Sequence, residues 1–208
     1  MADSRITRSI IRESALRMYQ EHMPDEEKPA VCWLPFQLNP DLPEEGVSRK
    51  EYLERKFGPG HSHSYARVAG VGREVGIEFA FDHITVQPNT LNAHRLMTYG
   101  AKQGREDEVA ENLFRAYFLE GANLTDQAAL ASVGERVGLD RAALAAYLAS
   151  EDGREEVLRA DLEARQAGIN GVPFFIFNRC TAVSGAQAPE TLLQAMLDAR
   201  PREAEERR

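Results

Sequence analysis

A long stretch of helical periodicity separates two short apolar segments in this 208-residue chain. From Ser48 to about Gly168, apolar residues recur at the three- and four-residue spacing of amphipathic helices. Residues 30–38 form an apolar run typical of a buried strand, and residues 172–184 predict a hairpin of two strands. Amphipathic helices are predicted from Ser4 to His22 and from Pro189 onward.

This order of elements predicts an α/β protein with two lobes that are built from one discontinuous chain. Residues 1–45 and 169–200 would form one lobe, and residues 46–168 would form an all-helical insertion. Within the insertion, Ser48 followed by Glu51 is a capping box that predicts the start of a helix. The polar residues 201–208 are predicted to be a disordered tail.

The charge balance excludes two broad classes of partner. Asp and Glu number 33 against 25 Lys and Arg, which leaves a net charge of −8. An acidic chain without a basic stripe is a poor match for nucleic acid or for an anionic membrane.

The N-terminal region has no uninterrupted apolar export signal, and the longest apolar run, residues 172–177, is too short to span a bilayer. We therefore expect a soluble cytoplasmic protein.

The two cysteines and a pair of histidines give no metal or disulfide pattern. Cys32 and Cys180 are too far apart for a C-x-x-C pair or for zinc-ligand spacing. Cys32 lies in an apolar run and is predicted to be buried and inert, whereas Cys180, beside Arg179 at the hairpin, is predicted to be exposed. The His61-x-His63 pair lacks nearby acidic or cysteine ligands. No metal and no cofactor are predicted.

Other common catalytic patterns are also missing from the sequence. There is no G-x-S-x-G elbow, P-loop or dinucleotide-binding glycine motif. Four carboxylates near the end of the helical stretch are predicted to form a solvated helix face rather than a paired acid–base site. They are Glu155, Glu156, Asp161 and Glu163.

Six motifs are spread over roughly residues 30–199. They are WLPFQLNP at Trp33–Pro40, YLERKFG at Tyr52–Gly58, NTLNAHRL at Asn89–Leu96, LFRAYF at Leu113–Phe118, GINGVPFF at Gly168–Phe175, and SGAQ at Ser184–Gln187. In this order they resemble those of the FrnE-like branch of the DsbA thioredoxin-fold oxidoreductases. The resemblance implies a thioredoxin fold that is interrupted by a helical insertion, and thiol–disulfide exchange with protein thiols or with a small thiol such as glutathione.

The chain departs from the family at the catalytic turn. The resemblance implies a first strand and a C-x-x-C turn before the helix that begins near Ser4, and these 208 residues contain neither. The missing strand would be interior, between the strands predicted at 30–38 and 174–177, where each buried unpaired backbone group costs about 1–3 kcal/mol. Three explanations stay open: a start assigned too late, a truncated chain that joins the two strands or forms a homodimer, or a diverged non-redox member.

The resemblance also implies a substrate-binding site. Because the C-x-x-C turn is missing, we predict no catalytic residue. Val172-Pro173 matches the position of a cis-proline that faces the dithiol, where the backbone of Val172 would pair with an extended substrate segment. The alternative is that Pro173 only begins a strand. By the same resemblance, His94 would line the cleft between the lobes and exchange protons with a thiol or a bound peptide. The alternative is that His94 is a structural histidine, hydrogen-bonded at a lobe interface.

Two functions from different classes follow. The first is a member of the DsbA-like oxidoreductase family that is redox-inactive as given. The second is a non-catalytic thioredoxin-like module that binds a peptide or glutathione. A glutathione-dependent isomerase or transferase with serine in place of the first cysteine is a related reading, but Ser4 has no strand before it to fill that role.

Overall fold

The computed structural model describes residues 5–25, 28–58, 62–74 and 76–200. Within these ranges the chain forms nine α-helices and four short strands, and none of the helices is long and apolar enough to cross a membrane. The helices are α1 Arg5–His22, α2 Arg49–Phe57, α3 Ser62–Glu74, α4 Leu91–Ala101, α5 Glu106–Phe118, α6 Gln127–Arg136, α7 Arg141–Ala149, α8 Arg154–Gln166 and α9 Pro189–Asp198. The strands are β1 Val47–Ser48, β2 Val86–Gln87, β3 Phe174–Phe177 and β4 Thr181–Ser184.

The described residues divide into two compact units. A helical unit lies within Cys32–Gly168 and contains α2 to α8 with β1 and β2. The hairpin unit comes from Asp3–Val31 and Ile169–Arg208 and contains α1, β3, β4 and α9. The helical block and the hairpin that the periodicity predicts are both present.

Local sequence signals set the ends of several helices in the helical unit. The hydroxyl of Ser48 accepts a hydrogen bond from the Glu51 N–H at 3.4 Å, as the capping box predicts, and Gly58 ends α2 with a φ of 75°. The carboxylate of Asp140 caps α7 in the same way. Leucine, valine and phenylalanine side chains of this unit are fully buried and form its core: Leu96, Val109, Phe118, Leu130, Val133, Leu144, Leu148 and Val157.

The hairpin unit places two helices on one face of a two-stranded sheet. β3 pairs with β4 in antiparallel register, from Phe174 opposite Ser184 to Phe177 opposite Thr181. Apolar side chains of α1 and α9 pack together, and Phe175, Phe177 and Val183 of the sheet pack against them. The opposite face of the sheet is more open, because the side chain of Ile176 is 47% exposed.

The prediction of a strand at residues 30–38 is wrong. No strand is described there, and residues 32–38, which we name the anchored segment, belong to the helical unit. The indole Nε1 of Trp33 donates to Asp107 Oδ1 of α5 at 2.6 Å, and the Gln37 N–H donates to Asp161 Oδ1 of α8 at 2.6 Å. The Arg165 guanidinium donates to the Gln37 carbonyl. Side chains of α8 therefore satisfy both main-chain groups of Gln37, which a partner strand would otherwise have to do.

The predictions for Cys32 and Asp161 are also wrong, because the anchored segment lies on helices and not in a sheet. Cys32 is exposed rather than buried, because the anchored segment lies on helices instead of inside a sheet. Asp161 is only 6% exposed, so it is not part of a solvated face; it holds the anchored segment and pairs with Arg165 Nε at 2.8 Å. The neighbouring Glu155, Glu156 and Glu163 are exposed, as predicted.

Candidate functional site

The candidate site lies where the chain enters β3. The peptide bond between Val172 and Pro173 is cis, and the Pro173 carbonyl accepts a hydrogen bond from the Gly185 N–H at 2.9 Å. Hydrogen-bonded and non-bonded pairs alternate along an antiparallel ladder. Since Pro173 bonds toward the partner strand, the N–H and C=O groups of Phe174 and Ile176 point away from β4 and form the edge of β3.

The edge of β3 is suited to the addition of another strand. Among the residues that the structure describes, β4 is the only strand that pairs with β3. β3 carries no charged side chain, whereas natural edge strands are commonly protected by lysine, proline or a bulge. Ile176 and the half-buried Phe174 place apolar side chains on the open face. An extended segment could therefore gain both main-chain hydrogen bonds and apolar contact.

The three site residues predicted from the sequence fall in different units. Val172 is half-buried and Pro173 is buried, both in the hairpin unit. His94 is half-buried in the first turn of α4 in the helical unit, where its carbonyl accepts a hydrogen bond from the Thr98 hydroxyl at 3.1 Å. Its role beside a cleft stays a prediction.

Arg95, which the sequence reasoning did not single out, has a clear structural role. Its guanidinium donates to the carbonyls of Tyr147, Leu148 and Ser150 at the end of α7, at 2.7, 3.1 and 2.7 Å. The last carbonyls of a helix lack intrahelical partners, so a cation there satisfies them and complements the helix dipole. The NTLNAHRL motif therefore contains a buried residue that fixes α7 against α4.

The two thiols do not form a dithiol site. Cys32 and Cys180 are both free and exposed. Cys180 lies in the turn between β3 and β4, where its Sγ is 3.5 Å from the Phe177 carbonyl. Neither residue lies at the start of a helix, which is the position that favours a thiolate. Within the described parts of the chain, no group of three or more His, Cys, Asp or Glu residues could hold a metal ion. His61 and the side chain of His63 lie outside the described residues.

Comparison with known proteins identifies the fold family. A family model described as a DSBA-like thioredoxin domain matches residues 10–197. The uncharacterised protein YwbO of Bacillus subtilis is 26% identical over 172 residues, which is 81% of each chain. The crystal structure of a probable DsbA oxidoreductase from Streptomyces coelicolor has a TM-score of 0.80 at 24% identity and covers 93% of this chain and 87% of that one.

A second solved structure has a more distant likeness. It is described as 2-hydroxychromene-2-carboxylate isomerase, with a TM-score of 0.62 at 15% identity, and it covers 89% of this chain and 87% of that one. At these identities the two structures support the fold alone. They bear out the sequence prediction of an α/β, thioredoxin-like fold with a helical insertion.

Proposed function

Because this chain belongs to the family of DSBA-like thioredoxin domains, we propose that it holds an extended polypeptide at Val172 and at the edge of β3, without dithiol exchange of its own. The observation that carries the proposal is the orientation of the Phe174 and Ile176 main-chain groups away from β4. A segment that adds to this edge continues the ladder that β3 and β4 begin.

The cysteine positions support the redox-inactive part of the proposal. A C-x-x-C pair works because the second thiolate attacks the mixed disulfide that the first one forms, and so releases the substrate. In these 208 residues the cysteines stand at positions 32 and 180, so neither has a resolving cysteine three residues away. Each exposed thiol can form a mixed disulfide but lacks this local route to release it.

We also propose the branch of the family, the partners and the location. The six motifs support the FrnE-like branch. The proposed partners are proteins with thiols or disulfides in extended segments, with glutathione as the alternative ligand. We propose a cytoplasmic location, which fractionation of cells that express the tagged protein would test.

Insulin reduction by dithiothreitol tests the redox part. We expect the aggregation of insulin chains to begin no earlier with this protein than without it, and the double variant Cys32→Ser, Cys180→Ser to behave in the same way. A DsbA-family protein with an intact C-x-x-C provides the positive control. Acceleration comparable to that control would show that the chain is a redox catalyst.

Calorimetric titration tests the binding part, with a ten-residue peptide of alternating valine and threonine as the probe. Ile176→Pro removes an N–H that points away from β4, so it should weaken peptide binding at least tenfold while the hairpin persists. Ala182→Pro is the matched control, because the N–H of Ala182 points away from β3 on the other edge. Equal binding by the two variants, or no binding by the folded wild type, would contradict strand addition. A parallel titration with reduced glutathione tests the alternative ligand.

A further inference from the structure

Two arginines of the helical unit are almost equally buried but differ in their partners. Arg49, the first residue of α2, is 5% exposed, and Arg95 of α4 is 2% exposed. Each guanidinium lies over a tyrosine ring, at 5.0 Å from the centroid of Tyr65 and at 5.1 Å from that of Tyr147. A buried cation is costly unless its N–H groups are hydrogen-bonded or an anion is nearby.

The environment of Arg95 is saturated. Its guanidinium donates to the three carbonyls at the end of α7 described above. In addition, its Nε donates to the Asp152 carbonyl at 2.9 Å and its Nη1 donates to Asn92 Oδ1 at 2.8 Å. All three nitrogens of the guanidinium therefore have acceptors. No described carboxylate forms an ion pair with Arg95, and a ring of carbonyl and amide oxygens replaces water around its charge.

The environment of Arg49 is incomplete. Its Nη1 donates to Gln87 Oε1 at 2.9 Å and to the Tyr117 hydroxyl at 3.0 Å, and both of these acceptors are neutral. Its Nη2 is buried and has no hydrogen-bond partner among the described residues. No described carboxylate forms an ion pair with Arg49. A buried cation thus presents one NH₂ group without an acceptor.

We propose that Arg49 is the binding site for the carboxylate group of a small ligand. A carboxylate at Nη2 would accept charge-assisted hydrogen bonds and would neutralise the buried charge. A phosphate dianion would instead leave a net negative charge in a buried site, which costs desolvation energy. The site thus favours a single carboxylate.

The aromatic surroundings of Arg49 indicate what the rest of the ligand is like. The centroid of the Tyr117 ring is also near the Arg49 guanidinium, at 5.9 Å. Phe81 meets Tyr65 edge-on at 5.0 Å between centroids, and Phe79 stacks on Phe81 at 4.8 Å. Tyr65, Phe79 and Phe81 are all half-buried, so this aromatic group reaches the surface. A carboxylic acid with an aromatic or apolar body matches these surroundings.

The test is thermal unfolding of the full chain in benzoate at constant ionic strength and neutral pH, with acetate, inorganic phosphate and chloride as the other anions. Benzoate should raise the melting temperature with saturation, because a ligand that binds only the native state stabilises it by mass action. Acetate should do so more weakly, and phosphate and chloride should have no saturable effect. Equal stabilisation by all four anions, or none by benzoate, would overturn the proposal.

Variants locate the effect. Arg49→Lys keeps the charge but loses the planar fork, and it should weaken benzoate binding at least tenfold. Arg55→Lys, at an exposed position of the same helix, is the matched control and should bind as the wild type does. Unchanged benzoate binding by Arg49→Lys would overturn the assignment.

A spectroscopic readout covers the case in which Arg49→Lys does not fold. In wild-type protein labelled with ¹⁵N-arginine, benzoate should shift the side-chain resonances of Arg49 and leave those of Arg95 in place. Shifts confined to other arginines would contradict the site. The test does not depend on the peptide-binding proposal, because Arg49 belongs to the helical unit and the β3 edge belongs to the hairpin unit.

Discussion

The anchored segment and the β3–β4 hairpin have similar apolar sequences but satisfy their main chains in different ways. In the hairpin, β3 bonds to β4 on one side and leaves Phe174 and Ile176 directed outward on the other. In the anchored segment, the Trp33 N–H bonds to Glu106 of α5 and the Gln37 N–H bonds to Asp161 of α8, so carboxylates take the place of a neighbouring strand for these two groups. The difference teaches that a strand-like composition yields a strand only where a second strand is available to pair with it.

The two regions also differ in what stabilises them. The hairpin is held mainly by apolar packing under α1 and α9, whereas the anchored segment is held by hydrogen bonds to carboxylates and by the Arg165 guanidinium, which lies 4.6 Å from the centroid of the Phe36 ring. Apolar packing is weakened when a substitution leaves a cavity, whereas a charge-assisted hydrogen bond is weakened by a change of pH or by removal of the charge. Stability should therefore fall most when a buried apolar side chain of the hairpin unit is shortened, and when a carboxylate that binds the anchored segment is neutralised.

The largest effect is expected in the hairpin unit. Leu192→Ala removes a side chain of α9 that is 1% exposed in the core against α1 and the sheet, and it should lower the free energy of unfolding by about 2–5 kcal/mol. Leu162→Ala is the control, because that leucine is 54% exposed and should change stability by less than about 0.5 kcal/mol. Urea unfolding monitored by circular dichroism measures both. Equal losses would show that the hairpin does not depend on this core.

The next effect tests the anchored segment. Asp161→Asn removes the charge that accepts from the Gln37 N–H and pairs with Arg165, so the free energy of unfolding should fall by about 2 kcal/mol. Amide hydrogen exchange at Gln37 should accelerate in this variant. Glu163→Gln, on the exposed side of α8, should leave exchange at Gln37 unchanged. Unchanged protection of Gln37 in the Asp161 variant would contradict the role of that carboxylate.

A smaller effect is expected at the other attachment point. Trp33→Phe keeps a ring that can pack edge-on against Phe114 but loses the indole hydrogen bond to Asp107, which is exposed. The expected loss of unfolding free energy is about 0.5–1 kcal/mol. Thermal unfolding of this variant beside Asp107→Asn checks it, since the first removes the donor and the second removes the charge on the acceptor. A loss above that of Asp161→Asn would reverse the ranking of the two attachments.

The smallest effect is a pH dependence of the anchored segment. Burial raises the pKa of Glu106, the Trp33 backbone N–H opposes this by hydrogen bonding, and Asp107 raises the pKa further. Because the folded state then holds the proton more tightly, stability should rise as the pH falls through the raised pKa and level off below 4.5, the value for an unperturbed glutamate. Urea midpoints between neutral pH and pH 4 should show this rise relative to Glu106→Gln. A constant difference between the two proteins would contradict it.

Much of the fold could be predicted because its signals are local. The capping box at Ser48, the hairpin within residues 172–184 and the helix that begins at Pro189 depend on residues close in sequence, and all three appear as expected. Membership of the DsbA family was predicted from six motifs, and the family model over residues 10–197 confirms that membership.

The remaining features depend on long-range contacts that periodicity does not contain. Asp161 is 124 residues from Gln37, so its burial could not be read from the charged sequence of α8, although Arg165 four residues later was a weak signal of a fixed ion pair. The burial of Arg49 depends on Gln87 and Tyr117 in the same way. Val172 and Pro173 were predicted as site residues because a family motif marks them, and their role stays a prediction.

Residue-resolved amide hydrogen exchange along β3 tests the central claim most directly, with the valine–threonine peptide absent and then at saturation. Phe175 should exchange slowly in both cases, because its N–H points toward β4. Phe174 and Ile176 should exchange quickly in the free protein and slowly in the complex, as strand addition requires. Protection of Phe174 and Ile176 that is already present without the peptide, or that does not change at saturation, would contradict the account.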